Sequence, residues 1–363
     1  MEAKRTEVIA EHMARVEAAI NRFYSTDASL IVNLDETGLY FRSISTKSLR
    51  RGFGYKPEIA IIMETEIWPN LYNECGIRGV PLVLASARIS PRSVDRYKRL
   101  VPLFREALSH GIVIAAQSEA DAQRFRDLGA ATKRTFVTGN LKFDVELDPA
   151  LPGAGMNLRR SLGLDRPVWI AASTHAGEEE MVVEAHAQLR KRMPEALLIL
   201  VPRHPERFDD VAKMLEEKGV SFVRRTEGGK PTVSTAVYLG DTMGEVPRFY
   251  AASEVAFVGG SLVPIGGHNL LEPAAQGKPV ISGPYCFNSE DIARMLFDSG
   301  ACLKVENAEE LHLRVFELLS DEAERRRRGA IGQGVIEQNR GALTQLLGLI
   351  APLISAKTQR PEV

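Results

Sequence analysis

From Lys56 onward, short apolar runs alternate with amphipathic stretches of helical length, and no other feature of the sequence restricts its fold as much. Strands buried on both faces read as continuous apolar runs, and helices between them mark βαβ units in a parallel sheet. "PEIAIIMETEIWPN" predicts a buried strand running into a loop. Strand "VPLVLASARIS", helix "RSVDRYKRLVPLFREALSHG", strand "IVIAAQS", helix "EADAQRFRDLG" and strand "RTFVTGNLKFD" follow. The prolines and glycines of "VELDPALPGAGMN" break all periodicity and predict a linker between domains. A second series then runs through "PVWIAAST", "GEEEMVVEAHAQLRKRM", "ALLILVPRHP", "ERFDDVAKMLEEKG", "TAVYLGD", "EVAFVGGS", "KPVISGP" and "ACLKVEN", before a helical tail. The expected fold class is α/β, with two Rossmann-type domains facing a cleft and ligands at the carboxyl ends of the strands.

Composition narrows the function classes. In 363 residues, 46 Lys and Arg stand against 47 Asp and Glu, so the formal charge of -1 offers no basic excess for nucleic acid or an anionic membrane surface. Any anion must be bound locally. Three cysteines, Cys75, Cys286 and Cys302, lack CxxC spacing and suggest neither a disulfide framework nor a zinc site. The first twenty residues carry charges throughout, which predicts neither a signal peptide nor a membrane span there.

The stretch "VGGSLVPIGGHNLLEPAAQGKPVISGP", Val258 to Pro284, is where chemistry concentrates. A buried strand ends in glycines that admit close backbone approach, and a helix follows whose N–H groups and dipole favour an anion. Gly259, Gly260, Gly266 and Gly267 would equally serve a tight strand-to-helix turn, but Ser261, His268, Asn269 and Glu272 crowd the same turn. Glu272 lies one helical turn from His268, where a carboxylate can accept ribose hydroxyls, so a sugar nucleotide is the expected ligand. Three further strand-end loops carry Ser173, Thr174 and His175; Arg203 and His204; and Asp241, Thr242, Gly244 and Glu245. Each has a plain structural alternative as a cap, a dipole partner or a surface cation. Four at one sheet edge predict a site, in which an Arg offers forked hydrogen bonds to a phosphate.

The motifs "METEIWPNL", "PLVLASARIS", "VTGNLKFD", "ASTHAGEEE", "LVPRHPERF", "LGDTMGE" and "GGSLVPIGGHNLLEPAAQGKPVISGP" resemble, in order, those of the bacterial 3-deoxy-D-manno-octulosonic acid (Kdo) transferases of lipopolysaccharide synthesis. The resemblance implies a GT-B fold and inverting transfer of Kdo from CMP-Kdo to a lipid A precursor, with no cofactor or catalytic metal. It implies that Arg203, His204, Met243, Gly244, Glu245, Asn269 and Glu272 contact or adjoin the CMP moiety. Ser173, Thr174, His175, Gly260, Ser261, Gly267 and His268 complete the expected donor site. Glu64, Glu66 and Arg88 would line the acceptor side as candidate catalytic residues. The implied location is the cytoplasm or the cytoplasmic face of the inner membrane, with peripheral membrane contact.

Residues 1–54 depart from the family pattern, which opens with a membrane-associating helix and a Gly-Glu loop carrying the acceptor base. Here "NLDETGLYF" weakly resembles the first acidic motif of DDE transposases, although metal chemistry requires three convergent carboxylates. The expectation is an unrelated segment joined to a truncated transferase: a partial acceptor-side domain over 55–148, a donor domain over 149–340 and a helical tail over 341–363. Lost strands would leave an apolar sheet edge exposed. A donor-binding remnant without turnover is the alternative reading, and a UDP-sugar epimerase a more distant one.

Overall fold

The computed structural model describes residues 31–35, 38–41, 59–64, 69–89 and 111–357, which form two compact units. The first comprises residues 1–144 and 339–363, the second 145–338.

Four apolar runs of the first unit form parallel strands: β3 (Ile59–Met63), β4 (Leu82–Ala87), β5 (Val113–Ala116) and β6 (Thr135–Val137). Alternate residues serve opposite faces. Ile62, Leu84 and Ile114 pack with Tyr72 of α1 (Pro69–Ile77) and Phe125 of α2 (Glu119–Asp127). Ile61, Val83 and Ala115 instead meet Leu346 and Ile350 of the C-terminal helix, α11 (Ala342–Lys357). Asp144 secures that helix by accepting the N–H groups of Gly341 and Leu343, each at 2.6 Å. The free edge expected at β3 is covered. The chain before it supplies two strands that pair antiparallel, β1 (Ile31–Asp35) and β2 (Gly38–Phe41), and β1 pairs with β3, so "NLD" and "GLYF" lie in strands at the sheet edge.

The second unit is a seven-stranded parallel sheet in the order β13-β12-β11-β7-β8-β10-β9. Its strands are β7 (Val168–Thr174), β8 (Leu197–Pro202), β9 (Phe222–Arg224), β10 (Val237–Leu239), β11 (Val255–Val258), β12 (Val280–Ser282) and β13 (Cys302–Lys304). Trp169, Leu198 and Phe257 pack against α4 (Glu178–Arg192) and α9 (Ala308–Ser320) on one face. Ile170, Ile199 and Ala256 pack against α3 (Leu151–Leu162) and α6 (Val246–Ala252) on the other. The segment expected to be a linker is therefore half helix. Pro152 sits in the first turn of α3, where no N–H is needed, and Gly155 is required because a Cβ would lie 2.4 Å from Ala251 Cβ. The remaining helices are α5 (Phe208–Glu217), α7 (Leu271–Ala275), α8 (Glu290–Asp298) and α10 (Glu322–Asn339).

Candidate functional site

The order of the second sheet creates a crevice. From β7 the chain builds outward through β8 to β9 and β10, then returns through α6 to β11 on the opposite side of β7. Ligands of open parallel sheets bind at such a reversal, outside the carboxyl strand ends. The loops after β7, β8 and β11 border it, and the loop after β10 is next in line.

At the end of β7 the register shifts between Ala172 and Thr174, and Ser173 takes a left-handed φ of 58°. Thr174 is thereby turned inward, wholly buried, with its hydroxyl 3.4 Å from the Glu179 carboxylate, and His175 emerges beyond it. The Nε2 atoms of His175 and His268 lie 2.7 Å apart with ring planes within 2°, and His204 stands edge-on, its centroid 5.3 Å from that of His175. A contact this short between two imidazole nitrogens requires one proton between them. Burial lowers the pKa of His175, and the nearby charges of His204, Arg203 and Arg207 act in the same direction. The structure thus brings His175, His204 and His268 together from three loops. Arg203 adjoins them, its N–H donating to Thr174 O at 3.0 Å, while Arg207 forks onto Glu179 at 3.1 and 3.3 Å.

The glycine turn after β11 differs from expectation. The N–H groups of Gly260, Ser261 and Leu262 donate to the Glu178 carboxylate at 2.7, 3.0 and 2.9 Å. The protein's own carboxylate fills the place expected for a ligand phosphate. The Ser261 hydroxyl is spent too, donating to Val258 O at 2.6 Å and accepting the Gly283 N–H at 2.8 Å. Gly267 closes the turn by donating to Gly260 O at 2.8 Å. The following helix, α7, has only five residues, too few for the anion-attracting dipole expected there. The Asn269 side chain folds back onto its start, accepting the Leu271 N–H at 3.0 Å and donating to Glu272 at 3.2 Å.

The β10 loop is held as firmly. Asp241 accepts from Arg224 Nε at 2.7 Å and from the Thr226 N–H at 2.9 Å. Glu245 takes a fork from Arg225 at 2.9 and 2.9 Å, which draws its pKa down to about 2, with Thr242 and Arg248 adding to the hold. Only the tip is open: Met243 is 60% exposed, and nothing lies within 4 Å of where a Cβ on Gly244 would be.

In the first unit, Glu64 directly follows β3 with a left-handed φ of 57°. Non-glycine residues held there cost roughly 1–3 kcal/mol and concentrate at functional loops. Its carboxylate meets Lys142 Nζ at 2.8 Å and Arg88 Nε at 3.8 Å. Glu64 and Arg88 are therefore neighbours, as expected, whereas Glu66 lies outside the described residues. Sequence reasoning did not single out Lys142 or Glu178. Lys142 carried no signal beyond its place in "VTGNLKFD". Glu178 sits in a run of three acids at a helix start, and spacing alone cannot distinguish it from exposed Glu180.

The family described as 3-Deoxy-D-manno-octulosonic-acid transferase (kdotransferase) matches residues 48–145, and Glycosyl transferases group 1 matches 179–334. The chain is 43% identical over 300 residues to a 3-deoxy-D-manno-octulosonic acid transferase of Haemophilus influenzae, covering 82% of this chain and 70% of that protein. Against the enzyme of the same name from Bordetella pertussis, identity is 41%, covering 75% of this chain and 63% of that one. The chain thus spans about two thirds of the length of these relatives. Among solved structures, the C-terminal CMP-Kdo binding domain of WaaA from Acinetobacter baumannii matches 52% of this chain and 100% of its own, with 36% identity and a TM-score of 0.51. The two α/β units are those of a GT-B-like fold. Motif order, sheet topology and relatives converge, and the chain belongs to the 3-deoxy-D-manno-octulosonic acid transferase family of glycosyltransferases.

Proposed function

We propose that the second unit binds CMP-Kdo and that the chain transfers Kdo to a lipid A precursor, with inversion and without a catalytic metal. The observation that carries the reading is the likeness of the second unit to a domain whose printed description is CMP-Kdo binding, combined with the strand-end cluster of His175, Arg203, His204 and His268. A ketosidic bond to CMP breaks with negative charge developing on the phosphate, and a forked guanidinium stabilises that charge. Arg203 supplies it in this reading, and Glu272 accepts the ribose hydroxyls. Inversion also needs a base on the opposite face of the sugar to take the acceptor proton. Glu64 is one candidate and Glu66 the other, with Arg88 and Lys142 orienting Glu64. Membrane contact at the cytoplasmic face accompanies the lipid acceptor; among the described residues, no helix is long and apolar enough to cross a membrane.

The pairing of Glu64 with two cations favours a second reading, in which the chain binds donor but turns over slowly. In that reading the Glu64 carboxylate orients Lys142 and Arg88. General-base loss typically costs ~10²–10⁴-fold. In vitro transfer from freshly generated CMP-Kdo to a lipid A precursor, with and without EDTA, tests both. Transfer unaffected by EDTA and abolished in Glu64→Gln supports the first reading. Tight CMP binding with no transfer supports the second, and no CMP binding at millimolar concentration sinks both.

A further inference from the structure

Glu178 is wholly buried, and among the described residues it meets no cation. Its partners are the backbone N–H groups of Gly260, Ser261 and Leu262, and that of His175 at 3.3 Å. Four donors converging on two oxygens require a carboxylate, because a carboxylic O–H would direct its hydrogen at theirs. Burial leaves this carboxyl above the usual carboxylate range, although the four N–H groups pull in the other direction. An ion isolated in low dielectric is tolerated only when its lone pairs are satisfied, as they are here. The fit leaves no slack: a Cβ on Gly259 would lie 2.6 Å from Glu178 Oε2 and 2.7 Å from Ser173 O.

The carboxylate thereby holds both sides of the crevice. It grips His175 through that residue's own N–H. It grips His268 indirectly, because Gly260, with φ of 67°, has its Cβ position 2.9 Å from His268 Cδ2 and 3.4 Å from His175 Cδ2. We propose that Glu178 is a positioning residue of the donor site: it occupies the anion nest of the glycine turn in place of a ligand phosphate and so holds the His175–His268 pair in its coplanar, one-proton arrangement. The inference rests on the donor reading above and adds that the donor phosphate is bound by side chains rather than by the glycine turn.

The test uses the full chain. Glu178→Gln keeps the shape but turns an N–H₂ toward N–H donors. Glu254→Gln is the control for loss of a buried charge elsewhere in the sheet, since Glu254 is a partly shielded carboxylate that accepts the Val168 N–H at 2.7 Å and pairs with Arg159 at 2.6 Å at the opposite end of β7. Calorimetry with CMP and long-range ¹H–¹⁵N spectra of histidine-labelled protein are the readouts. Wild type is expected to show one protonated and one bare Nε2 joined in the pair. Folded Glu178→Gln is expected to lose that signature and to bind CMP at least tenfold more weakly, with Glu254→Gln within twofold of wild type. Retention of the signature or of full CMP affinity in Glu178→Gln overturns the proposal, as does an equal loss in Glu254→Gln. Should Glu178→Gln not fold, Gly260→Ala displaces the pair while leaving the carboxylate, and wild-type affinity in that variant overturns the proposal instead. If wild type itself fails to bind CMP, the donor reading fails, and the histidine spectra still decide whether Glu178 sets the pair.

Discussion

Arg225 grips Glu245 with a two-pronged ion pair, both contacts at 2.9 Å, and so closes the β10 loop onto the turn after β9. A carboxyl held to about 2 in the folded chain and near 4.5 in the unfolded one stabilises the fold above pH 4.5. That contribution fades as the pH falls through about 2. Glu245→Gln is expected to lower stability by about 1 kcal/mol at pH 7, a figure discounted for partial exposure. Urea midpoints of the two proteins should converge as the pH drops below 4.5; a constant gap would show that the pair contributes nothing electrostatic.

His186 has the opposite chemistry with the same pH sense. Trp169 Nε1–H donates to its Nδ1 at 3.0 Å and its Nε2 lies 2.9 Å from Ala236 O, so the ring is a buried neutral tautomer with its pKa pushed to about 3. Below pH 6.5 the unfolded chain takes up a proton that the folded chain refuses, and stability falls by about 1.4 kcal/mol per pH unit. His186→Gln is expected to be less stable than wild type at pH 7.5 and to recover about 2 kcal/mol of that difference by pH 5. Parallel stability curves for the two proteins would sink the assignment.

Arg203 and Glu272 are expected to act on different parts of the donor. Arg203→Ala should weaken CMP binding by tenfold or more, leave cytidine binding nearly unchanged and reduce the salt dependence. Glu272→Gln should weaken both ligands alike. Titrations of each variant with cytidine and with CMP separate the roles, and identical losses for both ligands in both variants mean that they are misassigned.

Two glycines should respond to alanine with opposite signs. At Gly259 the new methyl meets Glu178 Oε2, Ser173 O and Thr174 Cα within 2.8 Å, and overpacking of this kind costs about 1–3 kcal/mol. Gly153 lies exposed in α3 with nothing within 4 Å of its Cβ position, so alanine there should stabilise by roughly 0.5–1 kcal/mol. Thermal unfolding of both variants checks the pair.

The two parallel sheets were legible in the sequence because strands covered on both faces must be apolar at every position, as "IAIIM" and "LLILVP" are. The strand-end loops were legible because glycines, histidines and arginines interrupt those runs at their carboxyl ends, where a parallel sheet gathers them. Other features depended on contacts distant in the chain. Helix α3 forms where proline and glycine suggested a linker, since Gly155 fits against Ala251 in a helix far along the chain. The C-terminal helix belongs to the first unit because its apolar face meets Ile61 and Val83 and its N-terminus meets Asp144.

The glycine turn divides the two kinds of information most clearly. Its sequence determined that backbone N–H groups would be presented at a strand end, because Gly260, Gly266 and Gly267 hold positive φ there, a conformation that glycine reaches without steric cost. Which anion meets those groups was settled only in three dimensions. Glu178, 82 residues before Gly260, is carried to the turn by the β7–β11 pairing, and a buried acceptor within hydrogen-bond reach claims the donors before any ligand arrives.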